Sequence, residues 1–195
     1  MTRAAENQRM TPAEFFAWEE TQLEKHEYHL GEIFAMTGGR PRHNLIESNT
    51  LIELAAATRP RGCKTFTGNQ AIAVPPGERY VYPDVTTACG TIEVEPGTHA
   101  IQNPTVIVEV LSPNTEDYNR SKKWGFYQTI PSLTDYLLVS QRSIRVEHYR
   151  RVGSSSWALE ILGEGGTVTL ANGGTLLLES MYQGVFELPG DDEGE

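Results

Sequence analysis

The sequence predicts a single α/β domain built around one buried central strand. Its length of 195 residues suits one domain, because a single hydrophobic core stays efficient beyond roughly 150 residues. Hydrophobic residues make up 38% of the chain and charged residues 22%, which supports a packed core and argues against global disorder. Residues 105–111 are apolar on both faces, as in a strand covered on both sides, and helix and strand patterns mix around them.

Two helices and a hairpin are predicted in the first third of the chain. Thr11 caps the first helix, Pro12 takes its first position and Glu14 completes a capping box, so we expect a helix to about residue 21. The segments on either side of Gly31 have the pattern of a tight β-hairpin or a bent strand. A second helix is predicted over residues 43–58. Four apolar residues at helical spacing would form its buried face: Leu45, Ile52, Ala55 and Ala56.

Short strands dominate the rest of the chain, divided by glycine and proline turns. The predicted strands are, in chain order, 64–66, 70–74, 80–87, 105–111, 133–139 and 143–150, with weaker hairpin signals at 157–162, 167–170 and 175–178. Residues 112–115 break the central strand, and a helix is expected from there to about residue 130.

The domain limits and the compartment follow from composition. We assign residues 11–186 to the domain, residues 1–10 to a flexible N-terminus and residues 187–195 to an acidic disordered tail. The longest apolar run is too short to cross a bilayer and the N-terminus lacks the apolar stretch of a signal peptide, so we expect a cytoplasmic protein with no membrane contact. Cys63 and Cys89 form no Cys-x-x-Cys pair and cannot build a zinc cluster alone, so both are expected to be small apolar residues.

The net charge of −10 argues, taken alone, against a polyanionic ligand. The distribution of the charge is compatible with such a ligand. Residues 40–64 and 120–151 together hold 12 of the 16 basic residues and 4 of the 26 acidic ones, a local charge of +8. The acidic total still limits affinity, so DNA binding is expected to be weak, salt-sensitive and dependent on a divalent ion.

Two carboxylates stand out because of where they fall. Glu109 interrupts the apolar strand, and a buried carboxylate must be paired, protonated or bound to metal. Asp84 follows Pro83 at a strand start or bulge. On neighbouring strands the two would form a hard oxygen site for Mg²⁺ or Mn²⁺, completed by the backbone carbonyl of Val110 and by water. The simpler interpretations are a salt bridge for Glu109 and turn chemistry for Asp84.

A positive group to hold a phosphate can come from the helix that follows. It carries Lys122 and Lys123, and Asn119, Lys123 and Tyr127 share one of its faces at i, i+4 and i+8. The alternative is that both lysines are solvated residues on an exposed face. His43, near the start of the second helix, could contact phosphate or position another group, although a lone histidine is more often structural.

These residues belong to a wider pattern. It comprises Glu27-Tyr28 with Gly31-Glu32, His43, Tyr82-Pro83-Asp84-Val85, the run Val108-Glu109-Val110-Leu111-Ser112-Pro113-Asn114-Thr115, Lys123 with Tyr127, and Ile130-Pro131-Ser132-Leu133 with Tyr136-Leu137-Leu138-Val139. The pattern resembles a large family of bacterial restriction-endonuclease-like proteins in the PD-(D/E)xK nuclease superfamily, over residues 11–149. This resemblance implies a restriction-endonuclease-like core, a mixed central β-sheet flanked by helices, with a metal held by Asp84 and Glu109.

Two positions depart from the family's pattern. The superfamily's usual lysine stands two residues after the acid, where this chain has Leu111, so the resemblance implies a lysine on the next helix, best matched by Lys123. The position four before that lysine, often aspartate in the family, is Asn119. Glu27 matches an acidic residue in the first element of many such nucleases and would complete the metal shell through water.

The leading hypothesis is therefore a Mg²⁺-dependent DNA endonuclease, in which a cation held by Asp84 and Glu109 activates water and Lys123 stabilises the transition state. An alternative is a catalytically inactive nucleic-acid-binding or scaffold protein on a nuclease fold, suggested by Leu111 and Asn119. A third class, a sugar hydrolase with paired carboxylates, lacks the aromatic platforms that such an enzyme needs. Analogy with nucleases that cut two strands with two copies predicts a homodimer.

Overall fold

The computed structural model describes residues 10–36, 38–75, 79–112 and 116–190 of the chain. These residues form a four-stranded sheet, a six-stranded sheet and a two-stranded hairpin, with helices packed against them. The predicted α/β class, with a mixed central sheet flanked by helices, is confirmed. Apart from Met10, the predicted flexible N-terminus lies outside the described residues.

The N-terminal elements follow the turn and capping signals of the sequence. Helix α1 (Pro12–Glu19) begins with the predicted capping box, in which Thr11 and Glu14 each accept a hydrogen bond from the other's backbone. Strands β1 (His26–His29) and β2 (Glu32–Ala35) form the predicted hairpin, and both residues of its turn have positive φ, as a tight hairpin requires.

The small sheet is antiparallel and has the strand order β2-β1-β5-β4, where β4 is Ile72–Val74 and β5 is Arg79–Val81. The buried ring of Phe15 on α1 packs against Tyr28 of β1, with ring centroids 5.2 Å apart. This aromatic contact fixes α1 on the sheet, since large buried rings contribute much of the apolar area of a core.

The large sheet is mixed. Its strands, in spatial order, are β10 (Trp157–Leu162), β9 (Val146–Arg151), β8 (Asp135–Ser140), β7 (Val106–Leu111), β6 (Val85–Cys89) and β3 (Cys63–Thr67). The β7–β8 pair is parallel, and the other neighbouring pairs are antiparallel. A parallel pair needs a crossover connection, which the helix after β7 supplies.

Strand β7 is buried along its whole length, as predicted. Its three valines face the core beneath the long helix α2 (Pro41–Thr58), whereas Ile107 and Leu111 face a second core on the other side of the sheet. Because side chains alternate along a strand, Glu109 lies on the face of Ile107 and Leu111.

The crossover after β7 is a composite helix. It has three contiguous parts: α3 (Glu116–Tyr118), a π-helical turn (Asn119–Lys123) and α4 (Trp124–Tyr127). Asn119, Lys123 and Tyr127, which were predicted to share one face, are all buried, whereas Lys122 is exposed.

The C-terminal elements pack on the α2 side of the large sheet. They are the hairpin β11 (Thr167–Thr169) and β12 (Thr175–Leu177), helix α5 (Leu178–Met181) and a 3₁₀ turn (Val185–Glu187). Arg42 on α2 donates a hydrogen bond to the Leu188 carbonyl at 2.8 Å, so the chain stays attached past the start of the predicted tail. Residues 191–195 of that tail lie outside the described part of the chain.

The predicted buried face of α2 is only partly correct, because Leu45 packs against the core but is not fully buried. The residues of α2 that are buried are Ile46, Thr50, Leu54 and Thr58, whereas Ile52 is 63% exposed and Ala56 is exposed. Two of these four buried residues are threonines, and a search for apolar residues at helical spacing does not include threonine. The Thr58 hydroxyl is satisfied inside the helix by a 2.6 Å hydrogen bond to the Leu54 carbonyl, so it can be buried at little cost.

The segment 80–87, predicted as one strand, belongs to two. Strand β5 ends at Val81 in the small sheet, and β6 begins at Val85 in the large one. Pro83 stands between them, where its missing N–H breaks no ladder. The crossing between the sheets places Asp84 at the start of β6.

Cys63 and Cys89 form a disulfide, so the prediction that both are simple apolar residues is wrong. They face each other in the register of β3 and β6, a pairing that their separation of 26 residues could not reveal. Disulfides are uncommon in reducing compartments, and a cytoplasmic location stays a prediction. In the part of the chain that the structure describes, the helices lack the apolar length that a membrane span requires.

The corrected face of α2 gives a direct stability test. We expect Leu54→Ala to lower the free energy of unfolding by about 2–5 kcal/mol, because it leaves a cavity at a fully buried position. The matched variant Ile52→Ala removes an exposed side chain from the same helix and should change stability by about 0.5 kcal/mol or less. Urea unfolding measures both, and equal losses for the two variants would contradict the observed face.

Candidate functional site

Glu109 is buried on the face of β7 that meets the composite helix. Its Oε1 accepts a 2.9 Å hydrogen bond from the Lys123 ammonium and a 2.7 Å hydrogen bond from the Tyr127 hydroxyl. Glu109 and Lys123 are each 3% exposed. The salt bridge considered for Glu109 is therefore present, and its partner is the lysine that the resemblance selected.

The π-helical turn presents Lys123 to this carboxylate. A π turn inserts an extra residue into a helix and re-aims the side chains around it, a feature often found at functional sites. The Tyr136 hydroxyl of β8 supports the turn by donating to the Asn119 carbonyl at 3.2 Å. Lys122, one residue away, is exposed, which favours the interpretation of Lys122 as a solvated surface residue.

Glu27 of β1 is fully buried and holds the other side of Lys123. Its Oε1 lies 3.0 Å from the Lys123 ammonium nitrogen. Its Oε2 lies 3.2 Å from His29 Nε2 and accepts a 3.3 Å hydrogen bond from the Tyr118 hydroxyl. In the structure Glu27 therefore contacts Lys123. The contact of Glu27 with a metal through water stays a prediction.

Asp84 lies at the start of β6, next to β7. Its Oδ2 accepts a 2.6 Å hydrogen bond from the backbone N–H of Val110, which fixes the carboxylate beside the Glu109 segment. The side chain is 20% exposed, so it is within reach of a ligand from solvent. The Val110 N–H is thus used by Asp84, and the role of the Val110 carbonyl as a metal ligand stays a prediction.

Helix α2 adds two side chains to Asp84. His43 Nε2 lies 3.5 Å from Asp84 Oδ2, and Glu47 stands one helical turn after His43. One potential ligand atom from each of these three residues lies within 4.8 Å of the others. Sequence reasoning named His43 and missed Glu47. The signal that could have found it is the i, i+4 spacing of a histidine and a glutamate on one helix.

The electrostatics of the site reflect an excess of buried carboxylates. Burial raises the pKa of Asp84 and of Glu109 to about 7 each, although Lys123 opposes both shifts. Burial alone would lower the pKa of Lys123, but the charges of Glu109 and Glu27 outweigh it and raise that pKa above its usual range. Burial would also raise the pKa of Glu27, yet Lys123 and His29 together hold it below the ordinary value.

This donor set fits a divalent cation. Glu27, Asp84 and Glu109 place three carboxylates around one ammonium, so the charge of the group is not balanced by Lys123 alone. A bound cation would restore the balance and favour the ionised forms of Asp84 and Glu109. Carboxylate oxygens are ligands that Mg²⁺ and Mn²⁺ accept readily.

Many of the basic residues counted from the sequence are used inside the fold. Arg42 and Arg61 donate to backbone carbonyls near the C-terminus, and Arg151 donates to the Leu133 and Ile130 carbonyls. Other arginines pair with carboxylates: Arg120 and Arg145 with Glu147, and Arg120 also with Glu116. The count of basic residues in these two segments therefore overestimates the positive charge that is available to bind a polyanion.

The chain is similar to proteins from several sources. A family model described as "Uma2: Putative restriction endonuclease" matches residues 12–178. The uncharacterized protein sll1609 of Synechocystis sp. is 36% identical over 157 residues, covering 80% of this chain and 89% of the relative. The uncharacterized protein slr1290 of the same organism is 34% identical over 151 residues, covering 77% of this chain and 79% of the relative.

A solved structure shows the same fold. The crystal structure of "a putative nuclease belonging to DUF820" from Anabaena variabilis matches with a TM-score of 0.69 at 17% identity, covering 90% of this chain and 99% of that chain. The family model spans most of the chain, so the resemblance identified from the sequence is confirmed. The chain belongs to the Uma2 family of restriction-endonuclease-like proteins.

Proposed function

We propose that this protein is a divalent-cation-dependent DNA endonuclease that hydrolyses phosphodiester bonds. The observation that carries the proposal is the convergence of Asp84, Glu109 and Lys123 from a strand start, a central strand and a helix. The family description supports a nuclease, and the buried acidic group supports a cation site.

Asp84 and Glu109 would hold the cation, with Mg²⁺ or Mn²⁺ as the candidates. When bound, the cation would supply a Lewis acid that activates water and offsets the charge of the phosphate. The protein fixes both carboxylates beforehand: the Val110 N–H holds Asp84, and Lys123 and Tyr127 hold Glu109.

Lys123 would act as a fixed positive charge and hydrogen-bond donor. The carboxylates of Glu109 and Glu27 raise its pKa, which favours the protonated ammonium at neutral pH and a role as a hydrogen-bond donor. A buried ammonium held by two carboxylates needs little reorganisation when negative charge develops nearby, which is the condition for strong electrostatic stabilisation.

A second candidate function is a catalytically inactive nucleic-acid-binding or scaffold protein. One observation favours it: Glu109 Oε1 is already satisfied by Lys123 and Tyr127, an arrangement that could be purely structural. In both candidates DNA is the proposed partner, bound weakly and with a marked salt dependence. The homodimer also stays a proposal, because it rests on analogy.

The nuclease proposal predicts that both carboxylates are essential. Asp84→Asn and Glu109→Gln keep the size of each side chain and should each lower plasmid nicking in Mg²⁺ or Mn²⁺ by about 100-fold or more, because they weaken cation binding. Lys122→Met is the matched control and should retain activity, since Lys122 is exposed. Undiminished nicking by Glu109→Gln would contradict the assignment, whereas salt-sensitive DNA binding without nicking by the wild type would favour the scaffold function.

The buried ion pairs predict a stability difference between adjacent lysines. Lys123→Met leaves Glu27 and Glu109 buried without their cation and should lower the free energy of unfolding by about 3–5 kcal/mol. The loss should shrink at pH 5.5 relative to pH 8, because the two acids then take up protons on folding. Lys122→Met should change stability by about 0.5 kcal/mol or less. Chemical unfolding at both pH values checks this, and equal effects of the two substitutions would refute it.

A site built for a cation should destabilise the cation-free protein. The folded pKa of Asp84 is raised to about 7, so the folded state binds the extra proton and stability falls as pH rises from about 4 to 7. Asp84→Asn removes this penalty. In chelator at pH 8 it should raise the free energy of unfolding by about 1–2 kcal/mol, with the gain vanishing near pH 4. A less stable variant at pH 8 would show that the ionised carboxylate stabilises the fold instead.

A further inference from the structure

We infer that strand β10 is a docking edge for a second copy of this chain, whose own β10 pairs with it in antiparallel fashion across a two-fold axis at Leu159. The inference rests on the proposed function only in that it supplies a surface for the homodimer proposed there. It requires neither a cation nor DNA, because β9 and β8 separate β10 from β7 and the candidate site.

Half of the backbone hydrogen-bonding groups of β10 point out of the sheet. β10 is the terminal strand of the six-stranded sheet and pairs with β9 on one side. The Val152 N–H donates to the Ser156 carbonyl at 2.9 Å, which fixes the alternation of hydrogen-bonded pairs along this ladder. From that pair onward, alternate residues of β10 bond to β9, and the residues between them direct their N–H and C=O groups away from it: Trp157, Leu159 and Ile161. Such a row of donors and acceptors is a template for another strand.

The side chains on one face of this edge are exposed and apolar. Leu159 is 50% exposed and Ile161 is 52% exposed, and both lie on the face where Trp157 packs against the second core. The ladder with β9 runs without a bulge, and β10 contains neither proline nor lysine, the features by which edge strands commonly avoid pairing. The opposite edge of the same sheet differs, because β3 carries the exposed Lys64.

The partner is a second copy because β10 is complementary to itself. The two antiparallel registers with the longest overlap are centred on Leu159 or on Glu160. Centring on Glu160 sets two like charges directly opposite each other, which is destabilising. Centring on Leu159 sets this residue against the partner's Leu159. The same register sets Trp157 against the partner's Ile161, so the exposed apolar side chains of the two strands cover one another.

Charges on the other face of β10 complement the same register. Glu160 stands opposite the partner's Ala158, and within each chain Ala158 is opposite Arg150 of β9. Because adjacent strands are about 4.8 Å apart, the backbones of Glu160 and the partner's Arg150 are about 10 Å apart, and their long side chains can meet over the small alanine. Both side chains are exposed, and the two-fold axis creates the pair twice. Ion pairs at the rim of an interface contribute more to partner choice and register than to affinity.

Sedimentation equilibrium of the full-length protein, in chelator and without DNA, tests this inference. The wild type should be a dimer. Leu159→Lys brings two ammonium groups together at the axis and should raise the dissociation constant of the dimer by about 100-fold or more. Leu177→Lys is the matched control and should leave the dimer unchanged, because Leu177 is also 50% exposed but lies on β12, outside the large sheet.

Charge reversal tests the register. Glu160→Arg and Arg150→Glu each place like charges side by side and should each raise the dissociation constant by about 10-fold. The double variant restores opposite charges and should recover the wild-type value. A double variant as weak as the single ones would overturn the register centred on Leu159.

Two results would overturn the interface itself: a monomeric wild type, or a Leu159→Lys dimer as tight as that of the wild type. Circular dichroism establishes that each variant folds, and Leu159→Glu replaces Leu159→Lys if the latter does not. Plasmid nicking by the wild type separates the two claims. A dimer that Leu159→Lys disrupts but that does not nick DNA would contradict the proposed nuclease and leave the interface standing, whereas a monomer that nicks DNA would do the reverse.

Discussion

The buried ammonium of Lys123, held between Glu27 and Glu109, is the interaction on which the rest of the site depends. Burying charges is costly unless they are paired and their remaining hydrogen bonds are satisfied. Here the composite helix supplies the lysine, the small sheet supplies Glu27 and the large sheet supplies Glu109. The ammonium of Lys123 therefore joins three parts of the fold. Lys123 is the last residue of the π-helical turn, which is a local distortion of the composite helix. The same contacts orient Glu109 beside Asp84, which connects the packing of the domain to its proposed chemistry.

The ammonium of Lys123 does not neutralise all the negative charge of the site. Asp84 and Glu109 both have a pKa near 7 because burial disfavours their charged forms, and this cost persists until a cation arrives. Under the proposed function, stability and activity would therefore oppose each other at Asp84. Several arginines are already engaged inside the fold, because they donate to loop carbonyls or pair with Glu147. If DNA is the partner, as proposed, its affinity would depend more on the proposed cation site than on the count of basic residues.

The sequence draws attention to several residues that the structure brings together in the candidate site. A glutamate within an apolar strand and an aspartate after a proline are each visible without tertiary structure, whereas Lys123 was selected by the family resemblance. Glu47 was not predictable in this way, because its role depends on how α2 is rotated, and the inward stripe of that helix contains Thr50 and Thr58. The partnership of Glu27 with Lys123 and the disulfide between Cys63 and Cys89 depend on which strands and helices meet in space. Hydrophobic periodicity does not encode either pairing.

The most direct test of the central claim is anomalous diffraction from crystals of the protein soaked in Mn²⁺. The proposed function predicts a manganese peak in contact with carboxylate oxygens of both Asp84 and Glu109, with Lys123 still beside Glu109. Crystals that take up Mn²⁺ elsewhere, with no peak touching Glu109 and the Glu109–Lys123–Tyr127 contacts unchanged, would contradict it. In that case Glu109 would serve only as one half of a structural ion pair with Lys123.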